Sequence, residues 1–170
     1  QKLVNNAIYP EHMIYSYTDG LCGQSDKVVV SNHKVNITDY KTIKALKTAG
    51  FTNWEGITQK MLSPIDHLDD CHLVHYTLQL SFYLYMILKH NPALLPGDLF
   101  IEHIMFKLKE NDENGFPIYE KDPNGGFIVE DIKTYKVPYL KEEVIALISH
   151  FKNNRDELTA KLSKIKESKK

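Results

Sequence analysis

Two runs rich in β-branched residues, joined by a short polar turn, constrain the fold more than any other feature of this chain. The runs are CGQSDKVVV (22–30) and KVNITDYKT (34–42), and the SNHK segment (31–34) can form a four-residue hairpin loop between them. A similar run, EHMIYSY (11–17), precedes them across another turn. The sequence therefore predicts a meander of three strands.

The register of this hairpin places two acidic residues opposite each other. If Val30 faces Val35, counting back along both strands puts Asp26 opposite Asp39, with Cβ atoms about 4.5–5.5 Å apart. Two carboxylates this close repel each other unless a divalent cation lies between them, and Mg²⁺ binds one or two carboxylates with water and substrate phosphate. Lys41 follows Asp39 on the same face. The alternative is a register slipped by one residue, or an aspartate that ends its strand and points into water.

A long, nearly all-apolar stretch predicts a buried helix over 71–88, capped by Asp69 or Asp70 and ending before Pro92. Its polar side chains form one stripe, with tyrosines beside them: His72, His75 and Gln79, then Tyr76 and Tyr83. A buried polar stripe needs hydrogen-bond partners, which an acidic metal site and its waters would supply. The alternative is that the histidines bind backbone carbonyls and the glutamine binds a loop.

The remaining segments predict further elements around this centre. Residues 43–49 have a helical pattern for a turn or two, and 98–108 is a strand candidate. Residues 110–126 form a turn-rich protrusion, and 127–137 is a strand that returns beside 98–108. A C-terminal amphipathic helix is expected over about 140–165, with apolar residues at helical spacing: Leu140, Val144, Ile148 and Phe151.

Composition limits the classes of partner and cofactor. The formal net charge is -1, from 21 Lys and Arg against 22 Asp and Glu, so a nucleic acid must be held by a local basic face. Cys22 and Cys71 lack CxxC spacing, so neither a zinc site nor an iron–sulfur cluster is expected. No window approaches the roughly 18 apolar residues of a membrane span, so no membrane partner is expected.

The length predicts a single domain over 1–170, with its core at about 9–108. The first residue, Gln1, suggests a processed chain or a piece of a longer one.

Three short motifs follow one another in the predicted meander and helix. They are G-x-x-D (Gly23–Asp26), D-Y-K-T (Asp39–Thr42) and Q-x-x-x-Y (Gln79–Tyr83). In this order and spacing they resemble the RecB-like branch of the PD-(D/E)XK nucleases, especially its small phage-encoded members. The resemblance covers roughly residues 9–104. Glu11 is similar to an acidic residue that many members carry before the G-x-x-D strand.

The resemblance implies a fold and a metal site. The fold would be α/β (α+β) with a restriction-endonuclease-like core, in which helices flank a central mixed sheet. Mg²⁺ or Mn²⁺ would be held by Asp26, Asp39 and the carbonyl of Tyr40, with Glu11 as a further acidic ligand. The four cysteines of the cluster-containing members are missing, which is a second reason to expect no iron–sulfur cluster.

The resemblance also implies hydrolysis of DNA phosphodiester bonds. Lys41 would orient or help deprotonate the attacking water and stabilise charge on the phosphate, while Gln79 and Tyr83 position the site and the strand. The expected protein is an exonuclease or end-processing enzyme of phage recombination or repair, rather than a restriction enzyme. It would act in the cytoplasm of the infected bacterium or in the virion, with DNA and other phage recombination or virion proteins as partners.

Several residues outside the motifs are candidates for contact with DNA. Lys44 and Lys47 would share a helical face near the site, and His75 lies on the polar stripe. Trp54 could stack on an unpaired base. Each has a plainer alternative: a solvated helix face for the lysines and a loop anchor for the tryptophan. The basic tail, 161–170, either follows a DNA backbone or keeps the chain end soluble, and solubility is favoured.

Two rival interpretations stay open. The first is a non-catalytic module that keeps the nuclease fold to bind DNA or a protein within a larger phage protein. Only QKLVNNAI precedes the first strand, so the family's N-terminal helix is expected to be missing, which favours this module. The trio of Asp26, Asp39 and Lys41 favours the enzyme. The second rival is a chance pattern in an α/β core, in which case the two aspartates would point to opposite faces.

Overall fold

The computed structural model describes residues 2–155 and residue 157. In these residues the elements are β1 (Ala7–Ser16), β2 (Leu21–Ser31), β3 (Lys34–Lys41), α1 (His72–His90), β4 (Leu95–Phe106), β5 (Leu108–Asn111), β6 (Pro117–Tyr119), β7 (Val129–Val137) and α2 (Lys141–Asn153). One sheet has the strand order β1-β2-β3-β4-β7, and β5 pairs with β6 separately. The β3–β4 pair is parallel and the other pairs are antiparallel. The predicted α+β class with a central mixed sheet is confirmed.

The helix α1 connects the parallel strands β3 and β4, because parallel neighbours need a crossover. Its side chains Leu80, Leu84 and Met86 are almost completely buried. The strands supply the opposing layer of the core, at most 1% exposed: Val28, Val30, Val35, Ile37, Leu99 and Ile101. Burial of each such side chain contributes about 1.5–3 kcal/mol. The helix α2 packs against α1.

The second face of the sheet is largely open. Side chains that alternate with the core positions point to it, and Ile8, Met13 and Ile132 are 66%, 54% and 50% exposed. Within the described residues this face has no packed helix over these three positions. None of the helices in that part of the chain is long and apolar enough to cross a membrane.

The predicted register of the β2–β3 hairpin is confirmed. Val30 pairs with Val35, as the sequence analysis requires. The turn is shorter than expected, because only Asn32 and His33 lie outside the ladder, and both have positive φ, 49° and 59°. Positive φ at both central residues is the geometry of a type I′ turn, whose twist suits two-residue hairpins.

The β1–β2 hairpin bends over α1. The alternation of buried side chains along β2 slips between Ser25 and Val28, which are both fully buried. At the same level of β1, Glu11 has a φ of 47°, in the left-handed region. The turn after β1 thereby reaches the C-terminal part of α1, where Asp19 binds Lys89.

The helix predicted over 43–49 does not form. The carbonyl of Ile43 accepts a hydrogen bond from His103 Nε2 at 2.6 Å, and the carbonyl of Lys47 accepts one from the Leu73 N–H at 3.0 Å. Because these carbonyls bind distant parts of the chain, they are not used in local i→i+4 bonds. Tertiary contacts therefore outweigh the short helical pattern.

The predicted helix α1 is confirmed, but its predicted cap is wrong. Cys71 occupies the N-cap position, and no side chain caps the helix. Asp69 instead forms an ion pair with Lys60, and Asp70 lies 2.8 Å from His75 Nε2. Asp69 thus bonds within the preceding connection, and Asp70 holds that connection against the helix rather than capping its first turn.

The C-terminal part follows the prediction in outline. Strands β4 and β7 pair as expected, and the protrusion 110–126 contains β6. In α2, Val144 and Ile148 are buried, but Phe151 is 45% exposed and does not join the core as its spacing predicted. The basic segment 161–170 and most of the predicted helix beyond α2 lie outside the described residues.

Candidate active site

The carboxylates of Asp26 and Asp39 meet where β2 and β3 leave the apolar core. Asp39 is only 3% exposed. Oδ2 of Asp26 accepts a hydrogen bond from the Tyr40 N–H at 2.7 Å, which ties this carboxylate to β3 beside Asp39. Besides burial, the negative charge of Asp26 raises the pKa of the Asp39 carboxyl. The structure thus brings the predicted pair together, and it does not place the aspartates on opposite faces.

The surroundings of Asp39 are unusual for a carboxylate. Burial raises its pKa above the ordinary value, the Lys41 ammonium opposes this rise, and Asp26 adds to it. Lys41 forms an ion pair with Oδ2 of Asp39. That contact lacks hydrogen-bond geometry, and no other described residue hydrogen-bonds this buried oxygen. The Lys41 ammonium is thus the partner of this oxygen among the described residues, and the carboxylate, with a second acid beside it, is suited to bind a cation.

A divalent cation suits this pair of aspartates, because Mg²⁺ prefers carboxylate oxygens and keeps several waters. No group of three His, Cys, Asp or Glu side chains converges within residues 2–155 and 157. Asp26 and Asp39 would therefore be the side-chain ligands. The carboxylate of Glu11 accepts a hydrogen bond from Gln24 Nε2 at 2.6 Å and does not join them. The roles of Glu11 and of the Tyr40 carbonyl as metal ligands stay predictions.

Hydrogen bonds connect Lys41 of the D-Y-K-T motif to the Q-x-x-x-Y motif, whose tyrosine in turn contacts the G-x-x-D motif. Its Nζ donates to Gln79 Oε1 at 3.2 Å, and Gln79 Nε2 donates to the Tyr83 hydroxyl at 2.8 Å. The Tyr83 ring in turn lies against Gly23: a Cβ there would lie 3.1 Å from the ring Cζ and closer still to Cε1. The glycine of G-x-x-D therefore makes room for the tyrosine of Q-x-x-x-Y.

Tyr76 is a site residue to which the sequence analysis assigned no role. The Lys41 Nζ lies 4.5 Å from the centroid of its ring, within the range of a cation–π interaction. The available signal was its spacing, because Tyr76 precedes Gln79 by three residues and so shares its side of the helix. Tyr76 thus limits the directions in which the ammonium can move.

The polar stripe of α1 does not point to the aspartates as a whole. His72 Nδ1 lies 3.2 Å from the Ala45 carbonyl, and His75 Nε2 lies 2.8 Å from Asp70. The prediction that the whole stripe serves the acidic site is therefore wrong for both histidines, and Gln79 alone of the three reaches Lys41. Contact between His75 and DNA stays a prediction.

The other candidate DNA contacts lie on the connection between β3 and α1. Lys44 and Lys47 are exposed, but they share no helical face because no helix forms there. Residues 51–59 form a small hairpin, in which the Gln59 N–H donates to the Phe51 carbonyl at 2.8 Å. Trp54 lies at its tip and is 92% exposed, so it does not anchor the loop.

In comparisons with known protein families, curated proteins and solved structures, the chain matches none of them.

Proposed function

We propose that this protein is a metal-dependent DNA nuclease that hydrolyses phosphodiester bonds through Asp26, Asp39 and Lys41. One observation carries the proposal: Asp39 is buried beside a second carboxylate, Asp26, and its Oδ2 is held by the ammonium of Lys41. Lys41 compensates only part of the repulsion and burial, because the pKa of Asp39 is still raised, and carboxylates with perturbed pKa values are concentrated at functional sites. Lys41 beside the pair adds a group suited to phosphate chemistry.

The chemistry follows from what each side chain can do. A divalent cation held by Asp26 and Asp39 would lower the pKa of bound water and screen the charge of the phosphate. Lys41 would orient the attacking water and stabilise negative charge on the phosphate in the transition state. Gln79 fixes the ammonium by accepting its hydrogen bond, and the Tyr83 hydroxyl fixes the Gln79 amide.

The finer assignment rests on the motif resemblance. By that resemblance, the protein would be an exonuclease or end-processing enzyme of the RecB-like, restriction-endonuclease-like type. It would act on DNA in phage recombination or repair, with Mg²⁺ or Mn²⁺. The second candidate is a non-catalytic DNA- or protein-binding module with a nuclease fold. It is favoured by one observation, that no third acidic side chain joins the aspartate pair in the described residues.

The test is a cleavage assay with linear, circular and single-stranded DNA in Mg²⁺, Mn²⁺ or EDTA. Wild-type protein is compared with Lys41→Ala and with Lys136→Ala, a control in which the lysine lies on β7 and is 64% exposed. We expect metal-dependent cleavage that is lost in Lys41→Ala and kept in Lys136→Ala. Sparing of circular DNA would identify an enzyme that requires a DNA end.

Metal binding itself gives an independent readout. Mg²⁺ should raise the melting temperature of the wild type and leave that of Asp39→Asn unchanged, since a ligand at 100 times its Kd stabilises a protein by about 2.7 kcal/mol. DNA binding without metal stabilisation and without cleavage would support the binding module instead.

A further inference from the structure

His103 is a buried imidazole directly beside the proposed site. It lies on β4 and pairs in register with Lys41 of the parallel strand β3. Buried and half-buried positions alternate along this part of β4, and Leu99, Ile101 and His103 are at most 3% exposed. The buried Asp39 of β3 pairs with Ile101 in the same way. Because alternate side chains of a strand point to one face, the His103 ring lies next to the Lys41 side chain on the face that α1 covers.

The position of His103 in the sheet is one where ligands bind. Lys41 is the last residue of β3, and His103 lies near the end of β4. In open sheets with parallel strands, ligands bind outside the carboxyl ends of those strands. The proposed chemistry uses Asp39 and Lys41 at this end of the sheet and gives the imidazole no part. His103 is therefore a buried polar group at the functional edge that still needs a role.

The imidazole holds the backbone that follows Lys41. Its Nε2 lies 2.6 Å from the carbonyl oxygen of Ile43. A carbonyl oxygen only accepts hydrogen bonds, so Nε2 carries a proton and donates it to this bond. The bond thus fixes the chain at Ile43, just after it has left β3.

The contacts of the Lys41 ammonium depend on this fixed backbone. The ammonium forms an ion pair with Asp39 and donates to Gln79 at 3.2 Å. It also lies 4.5 Å from the centroid of the Tyr76 ring. All three contacts require that the side chain leave β3 in one direction, and a misplacement of about 1 Å in an active site can lower the rate by about 100-fold. A backbone free to move after Lys41 would shift the ammonium away from Asp39.

We propose that His103 is a positioning residue of the nuclease, which keeps the Lys41 ammonium at Asp39 by donating a hydrogen bond to the Ile43 carbonyl. The inference rests on the proposed function and adds a residue to it. His103 does not contact the scissile phosphate, and its whole effect passes through Lys41. The hydrogen-bond donor is the property that matters, so another side chain with a donor at the same place can replace the imidazole.

The first test measures cleavage kinetics in a matched pair of variants. His103→Gln keeps an amide donor near the position of Nε2, whereas His103→Leu has a similar length and no donor. We expect His103→Leu to lower kcat by about 10- to 100-fold with KM changed by less than about twofold, and His103→Gln to recover most of kcat. Asp69→Ala is the control, because Asp69 holds the same connection further along by accepting the Gly50 N–H at 3.1 Å. An unchanged kcat in His103→Leu, or an equal loss in Asp69→Ala, overturns the inference.

A second measurement does not require cleavage. The Lys41 side chain is only 18% exposed, so its held ammonium should give a separate proton–nitrogen correlation signal in NMR spectra, assigned by its loss in Lys41→Arg. We expect His103→Leu to shift or broaden this signal and His103→Gln to keep it. If His103→Leu does not fold, His103→Asn replaces it, because its amide is too short to reach the Ile43 carbonyl.

The two measurements separate this inference from the nuclease proposal. A signal that is unchanged when the donor is removed overturns the role of His103, and the nuclease proposal then stands without it if the wild type cleaves DNA. A signal that depends on the donor, in a protein without metal-dependent cleavage, supports the positioning of Lys41 by His103 and rejects the nuclease.

Discussion

At the scale of single residues, Asp39 combines burial with a like-charged neighbour. Burial and Asp26 raise its pKa, and the ion pair with Lys41 only partly opposes them. The position of this pair followed from the sequence, because the alternation and register of a hairpin are local properties. The contact of Lys41 with Tyr76 did not follow, because it depends on how α1 packs on the sheet.

We expect Asp39→Asn to be more stable than the wild type at neutral pH without metal, by about 1 kcal/mol. The substitution removes a buried negative charge that lies beside the like charge of Asp26, and the raised pKa shows that the ion pair with Lys41 does not fully compensate for this. A raised folded-state pKa gives stability below the ordinary value of 3.8 that is lost as pH rises through the raised value. The advantage of the variant should therefore grow as pH rises from below 3.8 towards neutral. Urea unfolding across this range measures it, and a variant less stable than the wild type at neutral pH would contradict the account.

Gly23 is a second residue whose identity follows from packing. A Cβ there would overlap the Tyr83 ring. Gly23→Ala should therefore destabilise the protein by about 1–3 kcal/mol and lower cleavage, because Tyr83 must move away from Gln79. In a Tyr83→Leu background the same substitution should cost less, which a double-mutant cycle by urea unfolding measures. Equal costs in both backgrounds would show that the ring is not the obstacle.

At the scale of elements, the turn after β1 is clamped to both helices by one carboxylate. Asp19, with a side chain only 1% exposed, binds Lys89 of α1 at 2.5 Å and Lys152 of α2 at 2.7 Å. It also accepts a hydrogen bond from Ser16 at 2.6 Å. Burial alone would raise the pKa of Asp19, but these three partners together lower it below the ordinary value. One residue thus joins three elements that are far apart in sequence.

Asp19→Asn should destabilise the protein by about 3 kcal/mol at neutral pH, because two ammonium groups lose their shared counter-charge. A depressed folded-state pKa gives stability above the ordinary value of 3.8, which is lost as pH falls through the lowered value. The gap between the wild type and the variant should therefore shrink as pH drops below 3.8. Thermal unfolding from neutral to acidic pH measures the gap, with Asp66→Asn as control because Asp66 is exposed. A gap that is constant with pH would contradict the clamp.

The same clamp explains part of what sequence patterns missed at this scale. The strands and α1 were predictable because their apolar periodicity extends over many residues. The bend of β1 and β2 over α1 was not, because it depends on Asp19 meeting Lys89 across 70 residues of chain. The short pattern at 43–49 failed for a similar reason, since His103 and Leu73 bind its carbonyls.

At the scale of the whole molecule, the proposed DNA contacts lie on one connection, from β3 to α1. Lys44 is exposed three residues after Lys41, and Trp54 lies further along at the tip of the 51–59 hairpin. The net charge of -1 provides no general attraction for DNA, so the proposed DNA binding would depend on these local groups. The connection thus carries an exposed aromatic ring and exposed ammonium groups, both of which suit DNA.

Trp54→Ala should weaken binding of single-stranded DNA by about 1–3 kcal/mol, the usual contribution of one stacked base. Stability should change by less than about 0.5 kcal/mol, because the side chain is 92% exposed. Leu62→Ala is the control, since Leu62 is 87% exposed on the same connection. Fluorescence anisotropy with a labelled oligonucleotide compares the variants. Equal affinity of Trp54→Ala and Leu62→Ala would show that the tip does not contact DNA.

The sequence by itself determined the hairpin register, the buried crossover helix and the order of Asp26, Asp39, Lys41, Gln79 and Tyr83. These features rest on local periodicity and turn chemistry, which act over a few residues. The tertiary structure alone decided that Gln79 and Tyr76 hold Lys41, and that His72 and His75 bind elsewhere. Those outcomes depend on how the bent hairpin, the helix and the connection pack together, and burial of polar groups with satisfied partners selects that packing.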